Sequence, residues 1–258
     1  MKLSWYNSEK KCYQADLMKP LDISIPLVVN ADGPKAWGAP PFYAEPWKSE
    51  DGKFVGAVSE GAPVNFFNVQ INPHGNGTHT ECVGHITDRP FTINQCLRRF
   101  WFPALLISLT PEETENKDRV LLKNQIENAA ANYQDAEALI IRTLPNTPNK
   151  KIYDYTGENP AYFDVKALQW MATETNIKHL LTDLPSVDRE SDGGKLAGHK
   201  AFWQYPHQIR EDATITEMIY VPESIPDGLY LLNIQIVSFE LDVSPSKPIL
   251  YALEEESS

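Results

Sequence analysis

Three short apolar runs constrain this chain more than any other feature: FPALLISL (102–109), ALIIRT (138–143) and KHLLTD (178–183). Each is the length of a strand rather than a helix, and none alternates with polar residues, so both faces must be buried. Between them lie segments with helix-like apolar spacing. Lys117 to Tyr133 carries Val120, Leu121, Ile126 and Ala130 on one stripe, and a second segment opens at Asn159-Pro160 and carries Phe163, Leu168, Trp170 and Met171. Strand, helix and strand at this spacing predict parallel crossovers.

Other strands are predicted around this unit. DISIPLV (22–28) alternates, with Pro26 marking an end or an edge, and VNFFNVQIN sets Phe67, Val69 and Ile71 on one face as a half-buried strand. DGLYLLNIQIVSF and PILYAL close the chain as strands, and a short helical piece after Gly198 carries Phe202 and Trp203. At 258 residues and 42% apolar content, one sizeable domain with an ample core is expected across 1–258. Residues 33–56 are too rich in Pro, Gly and aromatics for a regular element, so they read as a long ordered excursion.

Charge and composition exclude several functions. A net charge of -12 without a Lys/Arg-rich tract removes the footprint that phosphate backbones require, so no nucleic-acid partner is expected. No stretch approaches the ~18 apolar residues of a membrane span, and the N-terminal residues lack the apolar block of a secretory signal. Cys12, Cys82 and Cys96 are odd in number and at no metal-site spacing. Reduced thiols, a cytoplasmic location and no membrane partner are the expectation.

The chemistry concentrates in Asn72 to His85, NPHGNGTHTECVGH, which holds three of the six histidines. His79 and Glu81 are two apart, so an extended backbone projects both to the same side, and His85 can join them after a turn. Imidazoles and a carboxylate converging on one point suit Zn²⁺ or Mn²⁺. A lone histidine is more often a surface or core residue than a ligand; His179 is read as a surface or helix-end residue and His207 as a loop residue. Cys82 faces opposite to Glu81 on an extended segment and is read as packing. Ser186 lacks a G-x-S-x-G context, which disfavours a serine hydrolase.

The stretch GTHTECVGH (77–85) resembles the H-x-G-T-H-x-D-x-P-x-H signature of the cyclase-type metal hydrolases, the superfamily of bacterial kynurenine formamidase and isatin hydrolase. Asp183 with LPSVD (184–188), DGGKLAGHKAFW (192–203) and ITEMI (215–219) are similar to that family's later motifs and follow in the same order. The resemblance implies an α/β fold, a single mixed β/β/α domain of the swivelling type. It implies His79 and Glu81 as metal ligands, with His199 and Glu217 completing a second site that Glu81 bridges. It also implies His85 as acid/base beside them, with Glu217 as its catalytic companion, and a turn holding Asp183 and Asp188 nearby. One or two divalent ions, Zn or Mn, and a homodimer or higher oligomer follow from the same likeness.

The sequence departs from the signature in three places. His74 lies five residues before His79 instead of four, with Gly75 at the expected position; Glu81 stands for Asp; the Val83-Gly84 region stands for Pro. His74 is expected to reach the same metal as His79 if the extra residue loops out at Gly75 or Asn76 as a bulge. The expected activity is hydrolysis of an amide-like bond in a small aromatic molecule such as N-formylkynurenine. Opening of a cyclic amide or lactone is the alternative, as is a metal-binding relative without turnover.

Overall fold

In a computed structural model, which describes residues 1–29, 33–131 and 133–256, the three apolar runs form the centre of a ten-stranded sheet. The chain opens with a hairpin of β1 (Lys2–Tyr6) and β2 (Cys12–Asp16), followed by the short β3 (Leu21–Asp22). The excursion then carries β4 (Tyr43–Pro46), which pairs with β5 (Phe67–Gln70) in a separate two-stranded sheet. β6 (His79–Glu81) and α1 (Ile93–Cys96) lead into β7 (Trp101–Leu109), β8 (Glu112–Glu113), β9 (Arg119–Leu121) and α2 (Lys123–Ala130). Next come β10 (Ala138–Thr143), β11 (Tyr162–Phe163), α3 (Val165–Glu174), β12 (His179–Thr182) and α4 (Ala197–Trp203). β13 (Thr214–Glu217), β14 (Gly228–Ile236) and β15 (Val243–Glu255) complete the chain.

β7, β10, β12 and β13 are parallel neighbours, as the strand–helix–strand spacing predicts. β14 joins antiparallel to β7, β15 to β14, and β6 to β13. Because β15 also pairs with β6, the ring β15-β14-β7-β10-β12-β13-β6 closes on itself as a barrel-like sheet. Alternation explains the continuous apolar runs. Leu105, Ile107, Leu139, Ile141 and Leu180 face α2, α3 and α4, while Ala104, Leu106, Ala138, Ile140 and Leu181 face the opposite, inner cluster with Leu232 and Leu250. A fully buried side chain of this kind stabilises by about 1.5–3 kcal/mol over leaving it in water. The Asp164 carboxylate caps α3 by accepting from Lys166 N–H, and Ala167, Leu168 and Met171 are the face it buries.

Five local expectations are corrected. Arg119–Leu121 is strand, so the first helix starts only at Lys123; the second starts at Val165, not at Asn159-Pro160. Both losses have one cause, because β9 and β11 pair with each other, Val120 opposite Tyr162 and Leu121 opposite Phe163. Of the 22–28 strand only Asp22 is in a ladder; Ile23 and Ile25 are buried as read, but Ile25 N–H is taken by the Thr78 hydroxyl. β5 is exposed on both faces rather than half-buried, since among the described residues its only strand neighbour is β4. His179 is also no surface residue: it is buried in β12, stacked on Phe102 and hydrogen-bonded to Thr214. His207 is exposed.

Candidate metal centre

β6 holds the centre of the site. His79 and Glu81 share one face of it, the side of Val83 and Ile215, while Cys82 turns to the inner cluster with Ile23, Ile93 and Cys96. The antiparallel register sets Glu217 of β13 directly opposite His79, with His79 Nε2 3.4 Å from Glu217 Oε2. Val187 N–H donates to the other oxygen of Glu217 at 3.1 Å. His79 donates its Nδ1 proton to the Gly77 carbonyl at 2.9 Å, which turns Nε2 toward the carboxylates.

His199 comes from the first turn of α4. Asp188 takes three donors from that turn: Gly198 N–H at 2.6 Å, His199 N–H at 3.2 Å and His199 Nδ1 at 2.6 Å. Residue 198 must be glycine for this approach, because a Cβ there would stand 2.7 Å from Asp188 Oδ1 and 2.8 Å from Leu168 Cδ1. With Nδ1 held, His199 Nε2 reaches Glu81 Oε1 at 3.1 Å.

His74 arrives from a turn, not a strand bulge. Asn72 O accepts from both Gly75 N–H and Asn76 N–H, and the positive φ falls at Gly77, so the extra residue is absorbed in a coil of backbone over 72–76. Strand alternation therefore does not apply to His74. Its Nδ1 lies 3.1 Å from Glu81 Oε2, and its ring meets that of His79 edge-on at 5.7 Å. Its Nε2 is 2.8 Å from Asp242 Oδ2, a carboxylate that no sequence motif singled out. His85 packs against His74 with ring centroids 4.3 Å apart, its Nδ1 3.5 Å from Asp242 and 3.8 Å from Glu81.

Two triads thus share Glu81: His79, Glu81 and Glu217, and His74, Glu81 and His85. The structure brings all six predicted residues together but groups them differently from the expectation, pairing His79 with Glu217 because their strands are in register. Asp183 is not in this cluster. It is buried against Lys150 Nζ at 2.7 Å and the Thr143 hydroxyl at 2.8 Å, whereas Asp188 touches His199.

The electrostatics follow from burial and pairing. Burial alone would lower the pKa of His74 and His199, but hydrogen bonds that the first donates to Asp242 and Glu81, and the second to Asp188 and Glu81, raise both to about 10. Burial would raise Glu81, yet the surrounding histidines hold it well below the ordinary carboxylate value. Glu217 is raised, first by burial and then by the charge of Glu81.

A family model, Cyclase, matches residues 16–189. The chain belongs to the Cyclase family. The match contains the 72–85 segment and Asp188, while His199, Glu217 and Asp242 lie beyond it. No curated protein matches this Cyclase-family chain. Among solved structures it is similar to isatin hydrolase A from Labrenzia aggregata, bound to benzyl benzoate, at 16% identity and a TM-score of 0.66 over 92% of this chain and 94% of that one. It is similar to a predicted metal-dependent hydrolase from Bacillus stearothermophilus at 16% identity and a TM-score of 0.61, over 90% of this chain and 98% of that one. Isatin hydrolase A from Ralstonia solanacearum matches at 14% identity and a TM-score of 0.63, over 90% and 91%. At such identities the likeness is one of fold.

The donor set of this Cyclase-family site fits a divalent cation. His79 Nε2 is buried with no hydrogen-bond partner among the described residues, a state that costs about 1–3 kcal/mol unless something else occupies its lone pair. His74, His79 and His199 each fix one nitrogen on a carboxylate or carbonyl and aim the other at Glu81 or Glu217. That outward anchoring is how metal-ligating imidazoles are oriented.

Proposed function

We propose that the protein is a metal-dependent hydrolase that cleaves an amide-like C–N bond in a small aromatic substrate, an aryl formamide such as N-formylkynurenine. The observation that carries the hydrolase reading is the unpartnered, buried His79 Nε2 facing Glu217 across the strand pair. In this reading His79, Glu81 and Glu217 would hold a divalent ion, Zn or Mn. His74 and His199, each within 3.1 Å of a Glu81 oxygen, would serve a second. A bound ion would supply Lewis acidity, polarising the substrate carbonyl and making water acidic near neutral pH.

The chain's own residues do the rest. Asp188 and the Gly77 carbonyl keep the His199 and His79 rings in one orientation, so ligation costs no side-chain freedom. His85, about 29% exposed, is the histidine of the cluster without a close hydrogen bond, its nearest carboxylate oxygens lying 3.5 and 3.8 Å away. It takes the proton of the attacking water and delivers it to the leaving nitrogen as the C–N bond breaks. Water adds to the carbonyl carbon, and the products are a carboxylate and a free amine.

The isatin hydrolases among the similar folds favour a second reading, opening of a cyclic amide at the same site. Assay of purified protein, with metal content determined, on a formanilide and on a cyclic amide distinguishes the two. Metal without turnover of either would assign the chain to a non-catalytic binding role. We also place the protein in the cytoplasm, a reading supported by three unpaired cysteines, two of them buried. No described helix is long and apolar enough to cross a membrane. A second copy of the chain is the proposed cover for the β4–β5 hairpin, whose Tyr43, Phe67 and Val69 are exposed beside Phe66.

A further inference from the structure

Three histidines of the site are anchored from behind, and two of the anchors lie within recognisable sequence: the Gly77 carbonyl in the 72–85 segment and Asp188 in LPSVD. The third, Asp242, comes from the turn between β14 and β15, 168 positions from the histidine it holds. Its place is fixed by backbone on both sides. Cys82 N–H donates to the Asp242 carbonyl at 2.9 Å, Ile93 N–H donates to Leu241 at 2.7 Å, and Val243 is paired opposite Glu81. Gly84 completes the fit, since a Cβ there would stand 2.9 Å from the Asp242 Cβ and 2.3 Å from the Phe91 carbonyl.

This rigid carboxylate matters because His74 is the histidine that the sequence displaces by one position. A ring carried on the 72–76 turn has no strand neighbour to orient it, and its Nδ1 faces Glu81 only while Nε2 is held. We propose that Asp242 is the positioning residue that makes His74 a metal ligand, holding Nε2 at 2.8 Å so that Nδ1 is presented beside Glu81. The inference rests on the metal reading above and assigns a function to a residue outside every motif of the chain.

The test is zinc affinity by competition with a chromophoric chelator, on the full chain, for wild type, Asp242→Ala, Asp242→Asn and His74→Ala. Loss of an anchor of this kind weakens binding by about 10–100-fold. Asp242→Ala is expected to show that loss in one equivalent only, and to alter the visible spectrum of the Co²⁺-substituted protein. Asp242→Asn keeps an acceptor oxygen and is expected to recover part of the affinity, and it serves alone if the alanine variant does not fold by circular dichroism. In a His74→Ala background the Asp242 change should add nothing. Wild-type affinity in Asp242→Ala, or an undiminished further loss when His74 is already absent, would overturn the proposal while leaving the hydrolase reading intact. A wild-type protein that takes up no stoichiometric Zn²⁺ or Mn²⁺ would overturn both.

Discussion

Glu217 stands directly across an antiparallel strand pair from His79, their facing atoms 3.4 Å apart and both side chains buried. Neither is adjustable, because each is carried on a strand hydrogen-bonded along both edges. His79→Ala is therefore expected to abolish stoichiometric metal at this position, and Glu217→Gln to weaken it. Elemental analysis after dialysis checks this, and undiminished metal in His79→Ala would remove the central claim.

Metal uptake should release protons. Without metal, His74 and His199 are protonated at pH 7, because carboxylate partners hold their pKa at about 10 against the effect of burial. Ligation needs the neutral ring, so each gives up about one proton, and affinity rises with pH until it levels off near 10. Zinc titration in a weakly buffered solution with a pH indicator reads the release directly. Uptake with no proton at pH 7 would mean both rings are already neutral.

His85 is expected to contribute through proton transfer rather than through metal. His85→Asn should lower turnover by about 10²–10⁴-fold with metal content retained. An active variant would reassign the ring to packing against His74.

The exposed hairpin predicts self-association. Light scattering should find a dimer or larger assembly, and charge at Phe67 or Val69, both largely exposed here, should dissociate it without unfolding the chain. A monodisperse wild-type monomer is the contrary result.

Trp203 is fully buried on α4, donates Nε1–H to the Ala213 carbonyl at 2.9 Å and packs 5.5 Å from the His199 ring. Trp203→Ala should cost about 3–5 kcal/mol in urea unfolding. A loss below about 1 kcal/mol would mean that the helical layer is less tightly packed than it stands.

How much was legible depended on whether the signal was local. ALIIRT reads as a strand from its own residues and is one over its full length, and the spacing of His79 and Glu81 survives because both lie on a strand. What failed was non-local. β9 and β11 look helical until their mutual pairing is seen, and a half-buried face for β5 needed a second sheet partner that the described residues do not supply. The turn at 72–76 hid the reach of His74, since period-two reasoning holds only for extended backbone. Asp242 carried no signal at all: FELDVSP is an ordinary turn, and its approach to His74 exists only because β15 returns alongside β6.

That return has a consequence in time. β15 is a hoop that binds β6 through residues 243–245, β14 through 246–252 and β2 through 253–255. A ribosome emits the histidine-rich segment long before it emits this strand. Until then β6 has one bare edge, Cys82 lacks the Asp242 acceptor, and His74 has nothing behind it. The candidate site is thus complete only once this strand has returned, and pairings of such long sequence separation are the slow ones to form. Nascent chains halted before Val243 should have a central parallel sheet in which β6 lacks its second edge and the candidate site is incomplete.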